Sequence, residues 1–456
     1  MGYSFAVSLY CDKVRPSIVG GGPGVEPLDP EQPVKPVTPR GFRDVLFQEA
    51  REREIVAGDT SAVFSSWGYD PVETPVVEQS ATLASGIPGE LERSAFRLFD
   101  LDGALLALRP EMTVPIARVA ASRLSGTPGP HRIRYATEVF REHASLRGQA
   151  RQFTQVGVEL IGAAGPAADT EVVLLLIAAL EAAGLESFTI GLGTAEVLRG
   201  LLEGAGGSRE WREAMVAAAQ SRNLVEIGRL AGREDLDPDL ALAFVELPGI
   251  RGGRDALDRC AALTLACGCA EAVCAVRETW RTLDALGYGD RVQVDFGIMR
   301  SFGYYTGLQI EAYAPGLGLP LAGGGRYDRL LSTFGRPAPA AGFALGLERL
   351  MIALAEQGRT PRVPPLDAVV GGRMPDDVFA AGMRLRSAGW RVRLAAGRSG
   401  AGLVREADEF GALEALEVDG EVIVRVDRAG EGATPLGDPL PAPPRETWAA
   451  RGGDAG

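Results

Sequence analysis

The sequence predicts an α+β fold, in which an antiparallel sheet is flanked by helices and followed by a small C-terminal α/β domain. Three patterns carry this prediction. Several β-like segments before residue 161 are joined by hairpin signals and have helices between them, which favours an antiparallel sheet covered by helices. Residues 195–290 are almost wholly helical in pattern and form an insertion. Residues 366–431 follow the order β-α-β-α-β, which is typical of a small α/β domain.

Composition separates the ends of the 456-residue chain from its folded parts. Residues 1–36 end in a stretch rich in Gly and Pro, and residues 432–456 are rich in Pro, Gly and charge, so we expect both to be disordered. Residues 356–365 contain GRTPRVPP and predict a linker. The main domain is therefore expected at residues 37–355, ahead of the small domain.

The elements of the main domain follow from local patterns. Apolar residues at helical spacing after Thr38 predict a helix, and the extended DPVETPVVEQ predicts a strand. FRLFDLDGALLAL has Asp-Gly at its centre and predicts a hairpin, with a helix from about Val114 to Leu124 after it. HRIRYATEVFRE and RQFTQVGVELIG then predict two long strands.

The second half of the main domain continues the same alternation. TEVVLLLIAALEAAG is apolar around most of its circumference, so this helix is expected to lie buried between layers. Sheet-like sequence returns after the insertion in VQVDFGIMRSFGYYTGLQIEAYAP and in the glycine-rich LAGGGRYD. GFALGLERLMIALAEQ predicts a strand that runs into a helix.

The charged residues exclude several chemistries. The chain has 47 Lys and Arg against 60 Asp and Glu, and its only lysines are Lys13 and Lys35. The folded part therefore has no lysine for a Schiff base or for a Walker-A phosphate loop. The two histidines, His131 and His143, cannot form an HExxH zinc site. A net charge of −13 argues against a large nucleic-acid surface, so we expect no nucleic-acid partner. We also expect no metal and no cofactor.

Cysteine usage and hydropathy bear on the compartment. Cys260, Cys267, Cys269 and Cys274 lie close together, and two interpretations remain open: small apolar core residues, or a metal cluster with an unusual spacing. Neither suggests a secreted disulfide framework, so a cytoplasmic location is expected. No run reaches the roughly 18 consecutive apolar residues of a membrane span, so no membrane association is expected.

The segment LRPEMT offers the first candidate site residues. Glu111 and Thr113 lie two residues apart at the end of a predicted strand, where a carboxylate and a hydroxyl can both accept hydrogen bonds from a ligand ammonium group. The alternative is that Thr113 caps the following helix while Glu111 is solvated. Spacing alone does not choose between them.

The two long strands offer the second group. Alternation places Arg151, Gln155 and Glu159 on one face, and Arg141 ends the preceding strand. An arginine opposite a glutamine and a glutamate can form the polar floor of a site for a small zwitterion. The alternative interpretation is that these residues form a row of ion pairs on the surface.

The third group lies in the second half of the sheet. Tandem tyrosines in a strand face opposite ways, so one of Tyr304 and Tyr305 is expected to reach a pocket while the other packs inward. The consecutive glycines 323–325 mark a close approach of the backbone either to a ligand, as in a phosphate cradle, or to a neighbouring strand, and a tight turn is the alternative.

Taken together, these segments resemble the catalytic core of class II aminoacyl-tRNA synthetases, and among them the histidyl-tRNA synthetase family. The resemblance covers about residues 37–355. Its motifs are, in order, GYDPVETP for motif 1, LRPEMT for a histidine-recognition segment, FRE with RQFTQVGVE for motif 2, SFGYYTG with GGGRYD for a second recognition segment, and GFALGLERL for motif 3.

Two branches share this core: the synthetases, and the regulatory subunits of ATP phosphoribosyltransferase, in which the amino-acid site is thought to sense histidine. Ala144 and Gln149 replace motif 2 cations that contact ATP and tRNA phosphates in synthetases, which favours the regulatory branch. Thr154 and Gly303 also depart from the synthetase pattern. The small C-terminal domain resembles a shortened anticodon-binding domain, but residues 366–456 carry 11 arginines against 15 acids, which suits an anticodon stem poorly.

The resemblance implies a non-catalytic regulatory subunit that binds L-histidine for feedback control of the first step of histidine biosynthesis. It also implies a short-form catalytic subunit as partner and a homodimer within a hetero-oligomer. An active histidyl-tRNA synthetase is the alternative. The implied roles are Glu111, Met112 and Thr113 at the ligand amino group, Arg141 and Gln155 at its carboxylate, Glu159 with Tyr304 or Tyr305 at the imidazole, and Arg300 and Arg349 as residual nucleotide contacts.

Overall fold

The α+β prediction is confirmed by a computed structural model of the chain. The structure describes residues 37–87, 89–142, 150–233, 235–265, 270–299, 304–428 and 432–444. The predicted disorder of residues 1–36 lies outside the described residues.

A large, mostly antiparallel sheet forms the centre of the main domain. Within the described residues it has nine strands, in the spatial order β1-β5-β6-β12-β11-β10-β7-β9-β8. Its strands are β1 (Asp70–Pro71), β5 (His131–Phe140), β6 (Gln152–Ile161), β7 (Thr189–Thr194), β8 (Arg251–Gly252), β9 (Val292–Asp295), β10 (Leu308–Tyr313), β11 (Ala322–Arg326) and β12 (Ala340–Gly346). The pairs β1–β5 and β7–β9 are parallel, and the other neighbours are antiparallel.

The two faces of this sheet have different chemistry, which the alternation along β6 shows. Val156, Val158 and Leu160 are completely buried in the apolar core on one side. The intervening residues, Gln155 and Glu159 among them, face the other side, as the sequence pattern predicts. We call this second side the site face.

Helices cover the apolar face. The helices of the main domain are α1 (Phe47–Ser66), α2 (Ser80–Ala84), α3 (Gly89–Arg93), α4 (Thr113–Ser122), α5 (Gly165–Ala182), α6 (Ala195–Gly204), α7 (Arg209–Gln220), α8 (Leu224–Ala231), α9 (Pro238–Glu246), α10 (Arg254–Leu263), α11 (Ala270–Ala285) and α12 (Leu347–Glu356). The apolar α5 packs against α1, α11 and the sheet, so Leu175, Leu176 and Ile177 are all fully buried. Its predicted position between layers is therefore confirmed.

A small three-stranded sheet immediately precedes the first segment of the site face in the sequence. It consists of β2 (Val77–Gln79), β3 (Arg97–Phe99) and β4 (Leu105–Leu108), in the order β2-β4-β3. The predicted hairpin joins β3 to β4, and Gly103 in its turn has a φ of 85°, which glycine adopts without strain. The strand β4 ends just before Glu111, and α4 begins just after it.

The insertion is helical because its sequence supplies successive helix starts. Thr194, Ser208, Asn223 and Asp237 precede α6, α7, α8 and α9, and each side chain accepts a hydrogen bond from a backbone N–H of the first turn. The short strand β8 is a non-helical part that the pattern missed, and it pairs with β9 at the sheet edge.

The small C-terminal domain has the predicted alternation. Its elements are β13 (Ala368–Gly372), α13 (Pro375–Ser387), β14 (Val392–Ala396), α14 (Gly400–Glu409), β15 (Glu414–Asp419), β16 (Val422–Val426) and β17 (Ala433–Pro435). The expected disorder of the tail from residue 432 is wrong for residues 432–444. β17 pairs with β16, and the Trp390 indole N–H donates to the carbonyl of Pro441. Backbone pairing and one aromatic anchor hold a segment whose composition suggested disorder.

Candidate functional site

The candidate site lies on the site face, where the strand register places one carboxylate and one amide in a row with two glycines. The row runs across β6, β12, β11 and β10 and consists of Glu159, Gly342, Gly325 and Gln309. Residues directly opposite one another share a face, so the two polar side chains flank a floor without side chains. The glycines leave room for groups above the sheet.

Glu159 is the buried carboxyl group at one end of this row. Its side chain is 1% exposed, it accepts a hydrogen bond from the Tyr327 hydroxyl, and the Tyr135 hydroxyl lies 3.4 Å from it. Burial raises the pKa of Glu159 to about 8, and the hydrogen bond from Tyr327 offsets part of this rise. Burial therefore favours the protonated form of Glu159 at neutral pH in the free protein.

Glu111 is the second buried carboxyl group, and it caps α4. Its two oxygens accept hydrogen bonds from the backbone N–H groups of Thr113 at 2.6 Å and of Val114 at 2.8 Å. Burial raises its pKa, and these two hydrogen bonds act against the rise. The alternative of a Thr113 cap beside a solvated Glu111 is wrong, because Glu111 itself is buried and makes the cap.

Met112 and Thr113 lie on either side of this cap. Met112 is 1% exposed and packs in an apolar cluster with Tyr304, Tyr305 and Tyr327. The Thr113 hydroxyl lies close enough to Glu159 to lower the pKa of that carboxyl. The segment after β4 thus brings Thr113 and the carboxyl group of Glu111 near Glu159.

Arg141 and Gln155 lie further along the same face. The Arg141 Nε donates to the carbonyl of Pro110 at 2.7 Å, and its guanidinium lies 5.0 Å from the ring centre of Phe153. Burial lowers the Arg141 pKa to about 10, against the opposing influence of the Glu111 charge. Gln155 is buried, and its Oε1 has no hydrogen-bond partner.

Arg151, which the alternation placed with Gln155 and Glu159, does not join the site. Its guanidinium pairs with Glu142 and lies 4.5 Å from the ring centre of Phe96. Arg151 precedes β6 and lies beyond the end of this strand, away from the site. Of the two arginines that the sequence placed near Gln155, Arg141 is therefore the one in the site.

Both tandem tyrosines face the site, so the expectation of one inside and one outside is wrong. Tyr304 and Tyr305 lie in the turn before β10, where strand alternation does not apply. Their ring centres are 5.1 Å apart at 85°, and the Tyr304 ring stacks on Tyr327 at 5.7 Å. The Glu159 and Glu111 carboxyl groups are close enough to raise the pKa of both tyrosines, although burial is the larger cause.

Tyr135 and Tyr327 are site residues that the sequence analysis missed. Tyr327 is held by its neighbour Arg326, whose Nε donates to Asp169 at 2.9 Å and whose Nη1 donates to Asp328 at 3.0 Å. Tyr135 lies over Gly157, where a Cβ would overlap its phenol ring. An aromatic residue opposite a glycine on a neighbouring strand was the available signal for Tyr135.

The glycines 323–325 form neither a phosphate cradle nor a tight turn, and they mark the close approach to a neighbouring strand that the sequence also offered. They lie inside β11, between β10 and β12, and a Cβ on Gly324 would overlap the backbone of Gly342 and Phe343. Gly323 differs because its missing Cβ faces open space. The run of glycines therefore lets strands approach closely and leaves a space above the sheet.

The resemblance implies residual nucleotide contacts by Arg300 and Arg349. Arg300 lies outside the described residues. The Arg349 Nη1 donates to the carbonyl of Pro320 at 2.7 Å, and its charge is near enough to lower the pKa of Arg141. Two arginines thus lie near one end of the site face.

Buried polar atoms without partners mark the same face. Among the described residues, the uncharged side chains with such atoms are Gln155, Tyr304, Gln309 and Thr279. Gln155 and Tyr304 belong to the site, Gln309 lies in the same row of the sheet as Glu159, and Thr279 lies on α11. Since buried polar groups in native proteins are normally hydrogen bonded, this grouping indicates a ligand site.

The described residues also bear on metal binding, cysteine pairing and membrane insertion. Over the described ranges, no group of three or more His, Cys, Asp or Glu side chains could hold a metal ion. Cys260 is buried and Cys274 is exposed, whereas Cys267 and Cys269 lie outside the described residues. In the part of the chain that the structure describes, no helix is long and apolar enough to cross a membrane.

Comparison with known proteins identifies relatives of this chain. The family model described as histidyl-tRNA synthetase matches residues 41–350. The ATP phosphoribosyltransferase regulatory subunit of Moorella thermoacetica is 39% identical over 356 residues, which cover 78% of this chain and 91% of the relative. The protein of the same name from Symbiobacterium thermophilum is 39% identical over 362 residues, covering 78% and 90%.

Solved structures agree with these relatives. A Bacillus halodurans protein, described as an ATP phosphoribosyltransferase regulatory subunit/histidyl-tRNA synthetase, is 28% identical with a TM-score of 0.74, covering 83% of this chain and 97% of that one. Histidyl-tRNA synthetase from Nostoc is 23% identical with a TM-score of 0.74, covering 92% and 100%, and supports the fold alone.

Proposed function

The chain belongs to the family of ATP phosphoribosyltransferase regulatory subunits, and we propose that it senses L-histidine for feedback control of that transferase. Its role is regulatory and not that of the catalytic enzyme. The observation that carries the proposal is the buried Glu159 carboxyl, which lies among tyrosine hydroxyls and beside a second carboxyl group. A carboxyl in such a place is suited to an imidazole, which can both donate and accept a hydrogen bond.

The amino and carboxylate groups of the ligand have complementary partners along the same face. Glu111 and Thr113 supply acceptors for the ammonium group, and Met112 forms the apolar wall between them. Arg141 and Gln155 bind the carboxylate. The Arg141 Nε bond to Pro110 fixes the guanidinium, and its two terminal nitrogens are then available for a bidentate contact.

The imidazole lies between Glu159 and the tyrosines. Tyr304 and Tyr305 enclose it, and Tyr327 holds the Glu159 carboxyl in place. An amino acid with a different side chain would leave the buried polar groups around the imidazole without hydrogen-bond partners. The site therefore discriminates against other amino acids.

Regulation requires a partner and two states. We propose that a homodimer of this chain assembles with a short-form catalytic subunit, and that histidine binds one state of the assembly more tightly than the other. Only such a difference in affinity allows a ligand to shift an equilibrium between states.

The experiment reconstitutes the complex from this chain and a short-form catalytic subunit and measures transferase activity with and without L-histidine. We expect histidine to lower the activity of the complex, and the Glu159→Ala chain to form a complex that histidine no longer inhibits. Unchanged activity at millimolar histidine would contradict the proposal, as would equal inhibition of the catalytic subunit alone.

A further inference from the structure

Gln309 is a buried amide near the start of β10, and it has no role yet in the proposed binding of histidine. It is 1% exposed, and neither its Oε1 nor its Nε2 has a hydrogen-bond partner. A carboxamide that is removed from water and left unpaired costs stability, whereas an apolar residue of similar size would not. Such a group needs an explanation beyond packing.

The strand register places Gln309 in the row that contains Glu159. Its direct neighbours are Gly193 on β7 and Gly325 on β11, and neither has a side chain that could cover it within the sheet. Glu311, the next residue on the same face, is likewise flanked by Gly191 and Gly323. Because these four glycines have no side chains, groups from outside the sheet can approach this part of the site face.

One of the side chains next to Gln309 belongs to the proposed histidine site. A Cβ on Gly325 would lie 2.9 Å from the Tyr305 ring and 3.1 Å from the Gln309 Cα, so this tyrosine lies over the glycine beside Gln309. On the other side, a Cβ on Gly193 would lie 3.1 Å from the Ile298 side chain. Gln309 thus forms the wall next to Tyr305, and open space begins over Gly323 on the neighbouring strand.

We propose that Gln309 is a further ligand-contacting residue of this site, and that its carboxamide hydrogen-bonds a polar group of the bound amino acid. This inference rests on the proposed function. A ligand without the matching group leaves the buried amide unpaired, so Gln309 contributes to specificity as well as affinity. The free protein retains the unpaired amide because ligand binding needs it.

The test measures L-histidine affinity by calorimetry for the full chain and for Gln309→Met, which keeps the length of the side chain and removes its polar atoms. Thr279→Val is the matched control, because it removes a fully buried, unpaired hydroxyl from α11, outside the site. We expect an unchanged or higher melting temperature for both variants. We expect affinity to fall by about ten-fold or more for Gln309→Met only.

The possible outcomes separate the inference about Gln309 from the proposed function. If the wild-type chain binds histidine and Gln309→Met binds it equally well, the inference about Gln309 is wrong and the proposed function stands. If the wild-type chain does not bind histidine, both fall. Gln309→Leu serves as a second variant if Gln309→Met does not fold.

Histidine analogues separate a direct contact from a structural role. Histamine and L-histidinol lack the carboxylate, and methylated histidines lack one imidazole donor. If Gln309 contacts the ligand, the effect of Gln309→Met shrinks for the analogue that lacks the contacted group. An equal loss of affinity for every analogue would show a structural role and would overturn the inference.

Discussion

Gly342 on β12 lies directly opposite Glu159 on β6, and a Cβ at Gly342 would overlap the Glu159 carboxylate. The missing side chain therefore makes the space that the buried carboxyl group occupies. On the neighbouring strand β11, a Cβ on Gly324 would overlap the backbone of Gly342, so the absence of a side chain at Gly324 lets β11 and β12 approach closely. Gly342 thus serves the geometry of the site, and Gly324 serves the packing of the sheet.

Gly342→Ala is expected to displace Glu159. We expect the free energy of unfolding to fall by about 1–3 kcal/mol, as overpacking of a close-packed interior usually costs. We expect L-histidine affinity to fall with it, as measured by denaturant unfolding and calorimetry. Gly58→Ala on α1 is the control, since nothing lies within 4 Å of its Cβ position, and it should stabilise the protein by roughly 0.5–1 kcal/mol. Full histidine affinity in Gly342→Ala would contradict the assignment of Glu159.

Tyr327→Phe removes the hydroxyl that donates to Glu159. The hydrogen bond lowers the pKa of this carboxyl, so its loss should raise the pKa further and leave the carboxyl less well oriented. We expect calorimetry to show a loss of histidine binding free energy of about 1 kcal/mol, typical of one hydrogen bond. Tyr69→Phe removes a similar bond to Glu171, outside the site, and should leave affinity unchanged. Equal affinity in the two variants would count against the role of Tyr327.

Histidine binding is expected to depend on pH through Glu159. Burial raises the pKa of this carboxyl to about 8 in the free protein, so it carries a proton below that pH. Free imidazole titrates near pH 6.5, and we expect the complex to share one proton between the two groups. Binding should therefore release a proton below about pH 6.5 and take one up above pH 8, so affinity is highest between these values. Calorimetry in buffers of different ionisation enthalpy measures the exchanged protons, and a flat profile from pH 6 to 9 would contradict the prediction.

Much of the fold could be predicted from the sequence, because it depends on local patterns. Alternation along β6 correctly placed Gln155 and Glu159 on one face, and the apolar circumference of α5 predicted its burial. β17 was missed, because its order comes from pairing with β16 and not from its own composition.

The candidate site could be predicted in part. The positions of Tyr304 and Tyr305 were wrong, because alternation was applied to residues that lie in a turn. Tyr135 and Tyr327 were missed because their contacts with Glu159 depend on strand pairing between distant segments. The unpaired state of Gln309 is a tertiary property that no local pattern shows.

The chain is expected not to activate histidine with ATP. Ala144 and Gln149 stand where synthetases carry cations that contact phosphates. The negative charge that develops on the ATP phosphates during the reaction would therefore be poorly stabilised. We expect no histidine-dependent exchange between ATP and pyrophosphate by the pure chain. A histidyl-tRNA synthetase measured in parallel provides the positive control, and exchange at a comparable rate would establish a ligase.

The most direct measurement is a calorimetric titration of L-histidine into the wild-type chain, Glu159→Ala and Glu171→Ala. Glu171 is a matched control, because its carboxylate pairs with Arg132 and Tyr69 outside the site. We predict binding by the wild-type chain and by Glu171→Ala with equal affinity, and at least about ten-fold weaker binding by Glu159→Ala. No binding by the wild-type chain at millimolar histidine, or unchanged affinity in Glu159→Ala, would contradict the account.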